Sequence, residues 1–312
     1  IPMLHGEAVV MRLLRQNSTL RGLGEIGMNR RELEHFQKVL QMPHGIILVT
    51  GPTGSGKTST LYTALNEIND EVRKIITVED PVEYQLKGVN QIQVNEKSGL
   101  TFARGLRSIL RHDPDVILIG EIRDAETAQI AVQASLTGHL VFSTLHTNDA
   151  PGALTRLVDM GVEPYLVASS LEAVLAQRLV RVLCPHCKQA DDSQTAQAFK
   201  AKLGIAADKT IFKSVGCREC RNTGFFGRQA IFEWMDTDEE IRQLILKSAS
   251  TDQIRAAARK GGMRTLAEDG WRLVAAGVTT VEEVLSVTTA KEVESATKNE
   301  AGESAASIAV AR

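Results

Sequence analysis

The sequence predicts an α/β fold in which a mainly parallel sheet is covered by helices on both faces. Apolar runs of strand length alternate with segments whose apolar residues recur at helical spacing, a pattern typical of βαβ units. The strand-like runs are Ile46–Val49, Ile75–Val78, Val116–Ile119 and Leu140–Phe142, and the helical segments are Ser59–Ile68, Leu100–Leu110 and Ala125–Ser135. Ligands of such folds bind at the carboxyl ends of the strands, so the segments that follow these runs are the first candidates for function.

The composition is that of an ordinary globular protein. The chain has 312 residues, a length typical of about two domains, with 43% hydrophobic and 24% charged residues. A formal net charge of −2 gives no electrostatic footprint for nucleic acid. The sequence has no apolar run close to the roughly 20 residues that span a bilayer. We therefore expect a cytoplasmic protein that binds no nucleic acid.

A glycine-rich turn follows the first apolar run, and a helical segment comes directly after it. The turn fits the pattern G-x-x-x-x-G-K-[ST] with Gly51, Pro52, Thr53, Gly54, Ser55, Gly56, Lys57 and Thr58. Between a strand and a helix, the backbone N–H groups of such a turn point at one anion. We expect Lys57 to reach the β- and γ-phosphates of a nucleoside triphosphate and the Thr58 hydroxyl to hold Mg²⁺.

Acidic residues follow two of the other predicted strands. Glu121 comes after Val116–Ile119, where a carboxylate beside a phosphate loop can hold Mg²⁺ or orient an attacking water. Gly120 stands where such a strand usually carries an aspartate. Glu79 lies in a second acidic cluster after Ile75–Val78, which fits either the same chemistry or a solvated turn. The sequence thus supplies two candidate catalytic carboxylates.

Histidines and arginines complete the candidate site. His139 and His146 bracket Leu140–Phe142, and a histidine can donate to a phosphate oxygen, although a single histidine is more often structural. Arginines are candidates because an arginine finger, often from a neighbouring subunit, accelerates phosphoryl transfer. Arg104, Arg107 and Arg111 share one helical face, although a basic face of this kind is often simply exposed to solvent. Arg12 and Arg123 are further candidates elsewhere in the chain.

The cysteines occur in two C-x-x-C pairs, formed by Cys184 with Cys187 and by Cys217 with Cys220. Four thiolates are the ligand set of a tetrahedral structural Zn²⁺ and leave no open position for catalysis. The 29 residues between the pairs (188–216) exceed the commonest spacing, so a longer loop has to be accommodated. Disulfides are the main alternative, which a cytosolic location disfavours, and a redox-active pair is another.

Beyond Pro151 the pattern changes mostly to helix. The predicted helices are Gly152–Met160, Tyr165–Val182, Glu239–Leu246, Thr251–Lys260, Arg264–Ala276 and Thr280–Val287. Thr251 and Thr280 are candidate N-caps, the latter as part of a capping box. Residues 290–312 are rich in Ala, Ser, Glu and Lys, a composition that predicts a disordered tail.

The start of the chain predicts missing upstream sequence. The first residue is Ile1 rather than Met, and Glu7–Leu14 has the pattern of a strand that enters partway through a domain. We therefore expect this chain to be a fragment, and a processed terminus is the alternative.

Four segments together resemble the motifs of the secretion ATPase superfamily, the motors of type II secretion, type IV pilus assembly and related systems. Residues 51–58, 78–84, 102–128 and 137–150 are similar to its Walker A, Asp box, Walker B and His box. The sequence AQRLVR at 176–181, followed by two cysteine pairs, resembles the type II secretion ATPase (the general secretion pathway protein E family) and the pilus-extension ATPase. The pilus retraction ATPase lacks that cysteine module. The resemblance runs from about residue 5 to residue 287, and Gly120 is the family's own pattern.

The resemblance implies roles for the candidate residues. Glu79 and Glu121 would divide water activation and Mg²⁺ binding, in an order that the resemblance leaves open. The two histidines would form the His box. Basic positions that contact nucleotide within or across subunits of the family are matched by Arg12, Arg107, Arg111 and Arg123.

The resemblance also implies a fold and partners. It points to a RecA-like P-loop NTPase core in a hexameric ring that hydrolyses ATP with Mg²⁺. The partners would be inner-membrane platform and linker proteins, which would hold the ring peripherally at the cytoplasmic face of the inner membrane. The expected domains are a remnant of a small, largely missing N-terminal domain with a linker (1–28), the ATPase domain (29–182), a four-cysteine zinc module (183–224), a C-terminal helical subdomain (225–289) and the tail (290–312).

Type II secretion is the preferred function, and type IV pilus extension is the alternative. A nucleic-acid translocase is a third hypothesis, because RecA-like rings also move DNA. The net charge of −2 and an aromatic content of 4% argue against it, since strand tracking uses basic grooves and stacking rings. A non-hydrolysing scaffold is disfavoured because Lys57, Thr58 and both carboxylates are present.

Overall fold

The computed structural model describes residues 2–10, 22–203, 205–206 and 208–288. Its strands are β1 Pro2–Met3, β2 Gly6–Glu7, β3 Gly45–Thr50, β4 Ile75–Glu79, β5 Asn90–Gln93, β6 Val116–Ile119, β7 Leu140–Leu145, β8 Leu171–Leu183, β9 Gln189–Ala190, β10 Phe212–Lys213 and β11 Phe225–Asp236. Its α-helices are α1 Arg30–Leu40, α2 Lys57–Ile68, α3 Phe102–Ile109, α4 Ala125–Leu136, α5 Ala150–Asp159, α6 Pro164–Ser170, α7 Gln194–Lys202, α8 Glu239–Leu246, α9 Thr251–Lys260, α10 Leu266–Ala275 and α11 Val281–Val287.

A seven-stranded sheet forms the centre of the molecule, with the strands in the order β11-β8-β3-β7-β6-β4-β5. The six strands from β8 to β5 are parallel, and β11 runs antiparallel to β8 at one edge. Strands β3, β4, β6 and β7 are buried along their whole length, as expected for parallel strands covered on both faces. The predicted α/β fold with a mainly parallel sheet is confirmed.

Alternate residues of the strands face two separate hydrophobic cores. On β3, Ile46 and Leu48 face the core that includes α3, α4, α5 and the helices from α8 onward. Ile47 and Val49 face the other core, which is built with α1 and α2. The period-two pattern of a strand therefore places one helical layer on each side of the sheet.

The predicted strands and helices of the first half agree with the structure to within a few residues. Short polar side chains fix where several helices begin, because each accepts a hydrogen bond from a backbone N–H of the first turn. Thr101 caps α3, Asp124 caps α4 and Asp149 caps α5. No helix in the described ranges is long and apolar enough to cross a bilayer.

The prediction of one helix over Tyr165–Val182 is wrong. Helix α6 ends at Ser170, and the chain continues as the long strand β8. The segment contains Leu, Ala and Gln, which are good helix formers. Tertiary pairing overrides this propensity: β8 pairs with β3 on one side and with β11 on the other, so that its backbone groups are satisfied in the sheet.

The C-terminal helices are confirmed, with one addition. Strand β11 occupies 225–236, where a purely helical subdomain was predicted, and it completes the main sheet instead. Thr280 caps α11 as predicted, but the predicted capping box is not formed, because the Glu283 carboxylate binds Arg181 instead. The cap of α9 is Ser250, and Thr251 is the first helical residue. The division into domains stays a prediction.

Three predictions fall wholly or partly on residues outside the described ranges. The predicted strand Glu7–Leu14 overlaps β2 only at Glu7, residues 8–10 are not strand, and residues 11–14 are not described. Arg12 and the predicted tail 290–312 lie outside the described residues.

The packing of α10 against α11 is tight at Gly270. A Cβ atom there would lie 2.4 Å from Val284 Cγ1. Alanine improves helix propensity by about 1 kcal/mol, but overpacking costs about 1–3 kcal/mol. We expect Gly270→Ala to lower the free energy of unfolding by about 1 kcal/mol in urea denaturation, and the double variant with Val284→Ala to lose less than the sum of the two single losses. A stabilised single variant would contradict this account.

Candidate nucleotide site and four-cysteine site

The phosphate loop, residues Gly51–Thr58, connects the carboxyl end of β3 to the start of α2. Gly51 and Gly56 have φ angles of 151° and 92°, in the region that favours glycine. Space is also restricted, because a Cβ atom on Gly51 would lie 2.5 Å from the carbonyl oxygen of Gln177. The glycines therefore let the loop bend tightly and lie close against β8. The loop lines a cleft of about 670 Å³ at this edge of the sheet.

Lys57 lies at the first position of α2 and is buried by the loop. Its Nζ donates to the carbonyl oxygens of Gly51 at 2.7 Å and Pro52 at 3.1 Å. Burial lowers the pKa of Lys57; the charge of Glu121 opposes this shift and that of Arg178 adds to it. An anion in the cleft would offset the cost of burying this ammonium group, which is what a triphosphate would supply.

Glu121 lies in the loop after β6 and faces the same cleft. Its Oε1 accepts a hydrogen bond from Arg123 at 2.6 Å, and its Oε2 lies 3.2 Å from His146 Nε2. Burial favours the neutral acid, but Arg123 and His146 outweigh it and lower the pKa of Glu121. The group is therefore an ionised carboxylate at neutral pH, close enough to Lys57 for the two charges to interact.

Glu79 ends β4 and occupies a different environment. Its side chain is buried, with 3% exposure, and accepts hydrogen bonds from Tyr62, from Thr77 Oγ1 at 2.5 Å and from Gln91 Nε2 at 3.1 Å. Burial and the bond to this carboxylate both raise the pKa of Tyr62, so the phenol stays a donor. Glu79 contributes to the cleft lining, yet its carboxylate is held by three donors behind the surface.

The structure brings His146 to the cleft but not His139. His146 follows β7 at the carboxyl end, whereas His139 precedes β7 and bonds through Nδ1 to Ala134 O at 2.8 Å. A strand of this length is about 20 Å long, so the two rings lie at opposite edges of the sheet. Two residues that flank a strand in the sequence, such as His139 and His146, therefore lie far apart in the structure. A role for His139 within the cleft of its own chain does not fit this placement.

The predicted arginines separate into two groups. Arg123 lies at the cleft beside Glu121. Arg104 and Arg107 lie on α3, and Arg111 lies just beyond its end. All three are exposed and away from the cleft: Arg107 bonds to Glu126 at 2.5 Å, Arg104 to Gly99 O, and Arg111 to Arg107 O.

Several residues at the site were missed by the reading of the sequence. They are Tyr62, Gln91, Gln177, Arg178 and Arg228. Gln177 Oε1 accepts from Thr60 of α2 at 2.8 Å, and Arg178 donates to Asn148 O at 2.7 Å. Both belong to the AQRLVR segment, whose resemblance to the family was the available signal. Because this segment was predicted to be a helix, the contact between β8 and the phosphate loop was not predicted.

The four cysteine sulfur atoms form a compact cluster, all within 4.8 Å of one another. Cys184 and Cys217 lie 3.9 Å apart, Cys187 and Cys220 3.8 Å, and Cys217 and Cys220 3.7 Å, measured between Sγ atoms. Thiolates around a tetrahedral Zn²⁺ at about 2.3 Å would lie about 3.8 Å apart, whereas a disulfide has an S–S distance of about 2.05 Å. The spacing fits a metal site and rules out disulfides in this arrangement.

Backbone donors support thiolates at this cluster. Gly216 N donates to Cys187 Sγ at 3.3 Å, and Cys217 N and Gly224 N donate to Cys220 Sγ at 3.1 and 3.2 Å. Burial disfavours the thiolate of Cys220, but its two backbone donors and the neighbouring thiols of Cys217 and Cys187 outweigh it and lower the pKa of that thiol. At Cys187, burial and the other three thiols raise the pKa to about 11 despite the donor from Gly216. The donor set and its surroundings are compatible with zinc.

Comparison with known proteins agrees with this geometry. The chain is 54% identical over 287 residues to type II secretion system protein E of Pseudomonas aeruginosa, covering 92% of this chain and 57% of that protein. It is 48% identical over 288 residues to the type IV pilus assembly ATPase PilB of Myxococcus xanthus, covering 91% and 51%. The chain thus spans little more than half the length of these relatives.

Solved structures with the same fold include the pilus retraction motor PilT with bound ADP. It matches with a TM-score of 0.68 and 30% identity, over 91% of this chain and 71% of that one. The ATPase DotB of Legionella pneumophila matches with a TM-score of 0.61 and 25% identity, over 85% and 64%. The family described as type II/IV secretion system protein matches residues 1–286. The chain belongs to this family.

Proposed function

We propose that this chain binds ATP with Mg²⁺ and hydrolyses it, as the motor part of a protein-secretion or pilus-assembly machine. One observation carries the proposal: the phosphate loop, Glu121, Glu79, Arg123 and His146 line a single cleft. A phosphate cradle, ionisable carboxylates and cations at one edge of a parallel sheet are the parts that phosphoryl transfer needs. Relatives named ATPases support the same assignment.

The phosphate loop would hold the triphosphate and the metal. Its backbone N–H groups would face the phosphates, and Lys57 would exchange its bonds to Gly51 O and Pro52 O for phosphate oxygens. The Thr58 hydroxyl and Glu121 are the residues for Mg²⁺, which neutralises charge on the phosphates when bound. Glu121 suits this role because it is ionised, faces the cleft and acts electrostatically on Lys57.

Glu79 would then be the carboxylate for the attacking water. Its three donors, Tyr62, Thr77 and Gln91, hold the carboxylate in a fixed position. A carboxylate has about four acceptor positions, so these three hydrogen bonds leave one position of Glu79 for the attacking water.

A ring of six copies would complete the site. Arg107 and Arg111 are exposed and point away from the cleft of their own chain, so they are available to a neighbouring copy. Arginines supplied by a neighbour are common in such motors. We propose the same setting for His139, whose position excludes the cleft of its own chain.

We propose a role in type II secretion, with type IV pilus extension as the second candidate. Relatives of both kinds match at 48–54% identity, and the four-cysteine cluster agrees with the resemblance to these two motors. The ring would act in the cytoplasm and push on an inner-membrane platform protein, which drives pseudopilus or pilus subunits outward. A nucleic-acid translocase remains disfavoured by the net charge of −2.

Turnover of the full-length protein tests the proposed activity. We expect Lys57→Ala and Glu121→Gln each to lower kcat for ATP by about a hundredfold or more, because each removes electrostatic stabilisation of the transferring phosphoryl group. Glu67→Gln is the control, since this exposed side chain lies on the same helix α2 outside the cleft. Unchanged turnover in both cleft variants would refute the assignment.

Metal analysis tests the proposal that the four cysteines hold a structural Zn²⁺. We expect about one zinc per chain and loss of that zinc in Cys217→Ser, with a lower melting temperature, because the metal links two distant segments. The control is His186→Ala: this exposed residue lies between Cys184 and Cys187 but is not part of the cluster, so zinc should be retained. Purified protein without metal would overturn the proposal.

A further inference from the structure

The turn that follows β7, residues 146–149, links the cleft to other parts of the fold. It begins with His146, whose ring contacts the cleft carboxylate, and ends with Asp149, the N-cap of α5. Between them, Thr147 N donates to Thr50 Oγ1 at 2.9 Å, at the last residue before the phosphate loop. The turn therefore contacts both the cleft carboxylate Glu121 and the residue that leads into the phosphate loop.

Asp149 also forms an ion pair with Arg255 of α9. The two side chains are 14% and 15% exposed, so the pair is largely shielded from solvent. The second Nη of Arg255 bonds to Asp252 on its own helix at 2.6 Å, and that carboxylate is exposed. Burial lowers the pKa of Arg255, but the charge and hydrogen bond of Asp149 outweigh it. The guanidinium is thus held mainly by the turn.

We propose that Arg255 is a positioning residue for hydrolysis, which holds the turn 146–149 through Asp149 and so keeps His146 against Glu121. Arg255 is 106 residues from Asp149 in the sequence and does not line the cleft. It acts on the reaction through the turn, without contact with nucleotide. The inference rests on the proposed function, because it assigns a supporting residue to the same site.

Other contacts keep the turn folded when this ion pair is lost. Arg178 donates to Asn148 O at 2.7 Å, and Ala150 N donates to Glu233 Oε1 at 2.7 Å. These bonds hold the turn to β8 and β11, independently of α9. Removing the charge of Arg255 should therefore loosen the turn, and with it the position of His146, without unfolding the chain.

Helix α9 offers a closely matched control one turn further along. Arg259 pairs with Glu268 at 2.7 Å, and these side chains are 11% and 17% exposed, close to the values for the first pair. Its two side-chain bonds go to Glu268 and none of them reaches the turn. Arg259→Gln thus removes an equally shielded ion pair from the same helix.

Steady-state kinetics of the full-length protein measure the effect on the reaction. We expect Arg255→Gln to lower kcat for ATP about tenfold with KM within about twofold, since small displacements of catalytic groups cost rate more than binding. Arg255→Lys should recover part of the rate, and Arg259→Gln and Asp252→Asn should retain it. Equal losses in Arg255→Gln and Arg259→Gln would assign the effect to the stability of α9 and overturn the proposal.

A double variant tests whether Arg255 acts through His146. If it does, adding Arg255→Gln to His146→Ala should change kcat less than twofold further, because the route of the effect is already removed. Two losses that simply multiply would show that Arg255 works by another route and would overturn the proposal.

Hydrogen exchange separates this inference from the proposed function. In the nucleotide-free protein, amides of residues 146–150 should exchange faster in Arg255→Gln than in Arg259→Gln. This readout needs no turnover. If the unaltered protein hydrolyses no ATP, the proposed function is refuted, but hydrogen exchange still tests whether Arg255 holds the turn. Unchanged exchange in Arg255→Gln would overturn the inference even if the protein is an active ATPase.

Discussion

The parallel pairing of β3, β7, β6 and β4 places the phosphate loop, the two carboxylates and His146 at one cleft. In these four neighbouring strands, Thr50 pairs with Leu145, Ile119 with Ser143, and Val78 with Ile119, so that the strands end at one edge. Backbone bonds then continue beyond the strand ends: Gly51 N donates to Leu145 O, Gly120 N to Val78 O, and Ile122 N to Thr144 O. The loops that carry the lysine, carboxylates and histidine are therefore fixed by the sheet itself, as the topology of open α/β folds requires.

The hydrogen bonds that Lys57 makes at this edge can be exchanged for bonds to a phosphate ligand. Lys57 bonds to neutral carbonyl oxygens, and Glu121 bonds to two side chains rather than to the lysine. A carbonyl oxygen is neutral whereas a phosphate oxygen carries the opposite charge, so exchanging carbonyl for phosphate oxygens is favourable for the buried ammonium group. Glu121 remains free of direct contact with Lys57 and keeps its charge available to a cation. The cleft thus contains one group suited to bind an anion, Lys57, and a separate group suited to bind a cation, Glu121.

Local signals predicted the elements well where packing agreed with propensity. The strand Val116–Ile119 is found at the predicted bounds, and the phosphate loop follows its strand as the motif requires. The failures have a common cause, because they concern how distant segments meet. Propensity favoured a helix at β8, but two neighbouring strands were available to pair with it. The histidines were adjacent to the right strand, yet only three-dimensional placement separates its two ends. Tyr62 gave no local signal, since its role arises from a contact with Glu79.

Specific polar contacts join the C-terminal helices to the sheet, in addition to apolar packing. Asp269 of α10 is 1% exposed, accepts from Phe232 N on the edge strand β11 and pairs with Arg272 at 2.7 Å. It thereby covers a backbone donor that an edge strand would otherwise present to other chains. Glu283 of α11 is bound in the same way by Arg181 of β8.

Partly buried ion pairs of this kind add little net stability, because desolvation and solvent screening offset their attraction, but each accepts only a narrow geometry. Apolar surfaces tolerate sliding by comparison, since their attraction has no direction. The helices from α9 to α11 are therefore held in one position on β8, β11 and the turn after β7. In the proposed motor, such an attachment would carry a displacement at the cleft edge to the helical layer. A motor needs this property if hydrolysis at one edge of a sheet is to produce movement elsewhere.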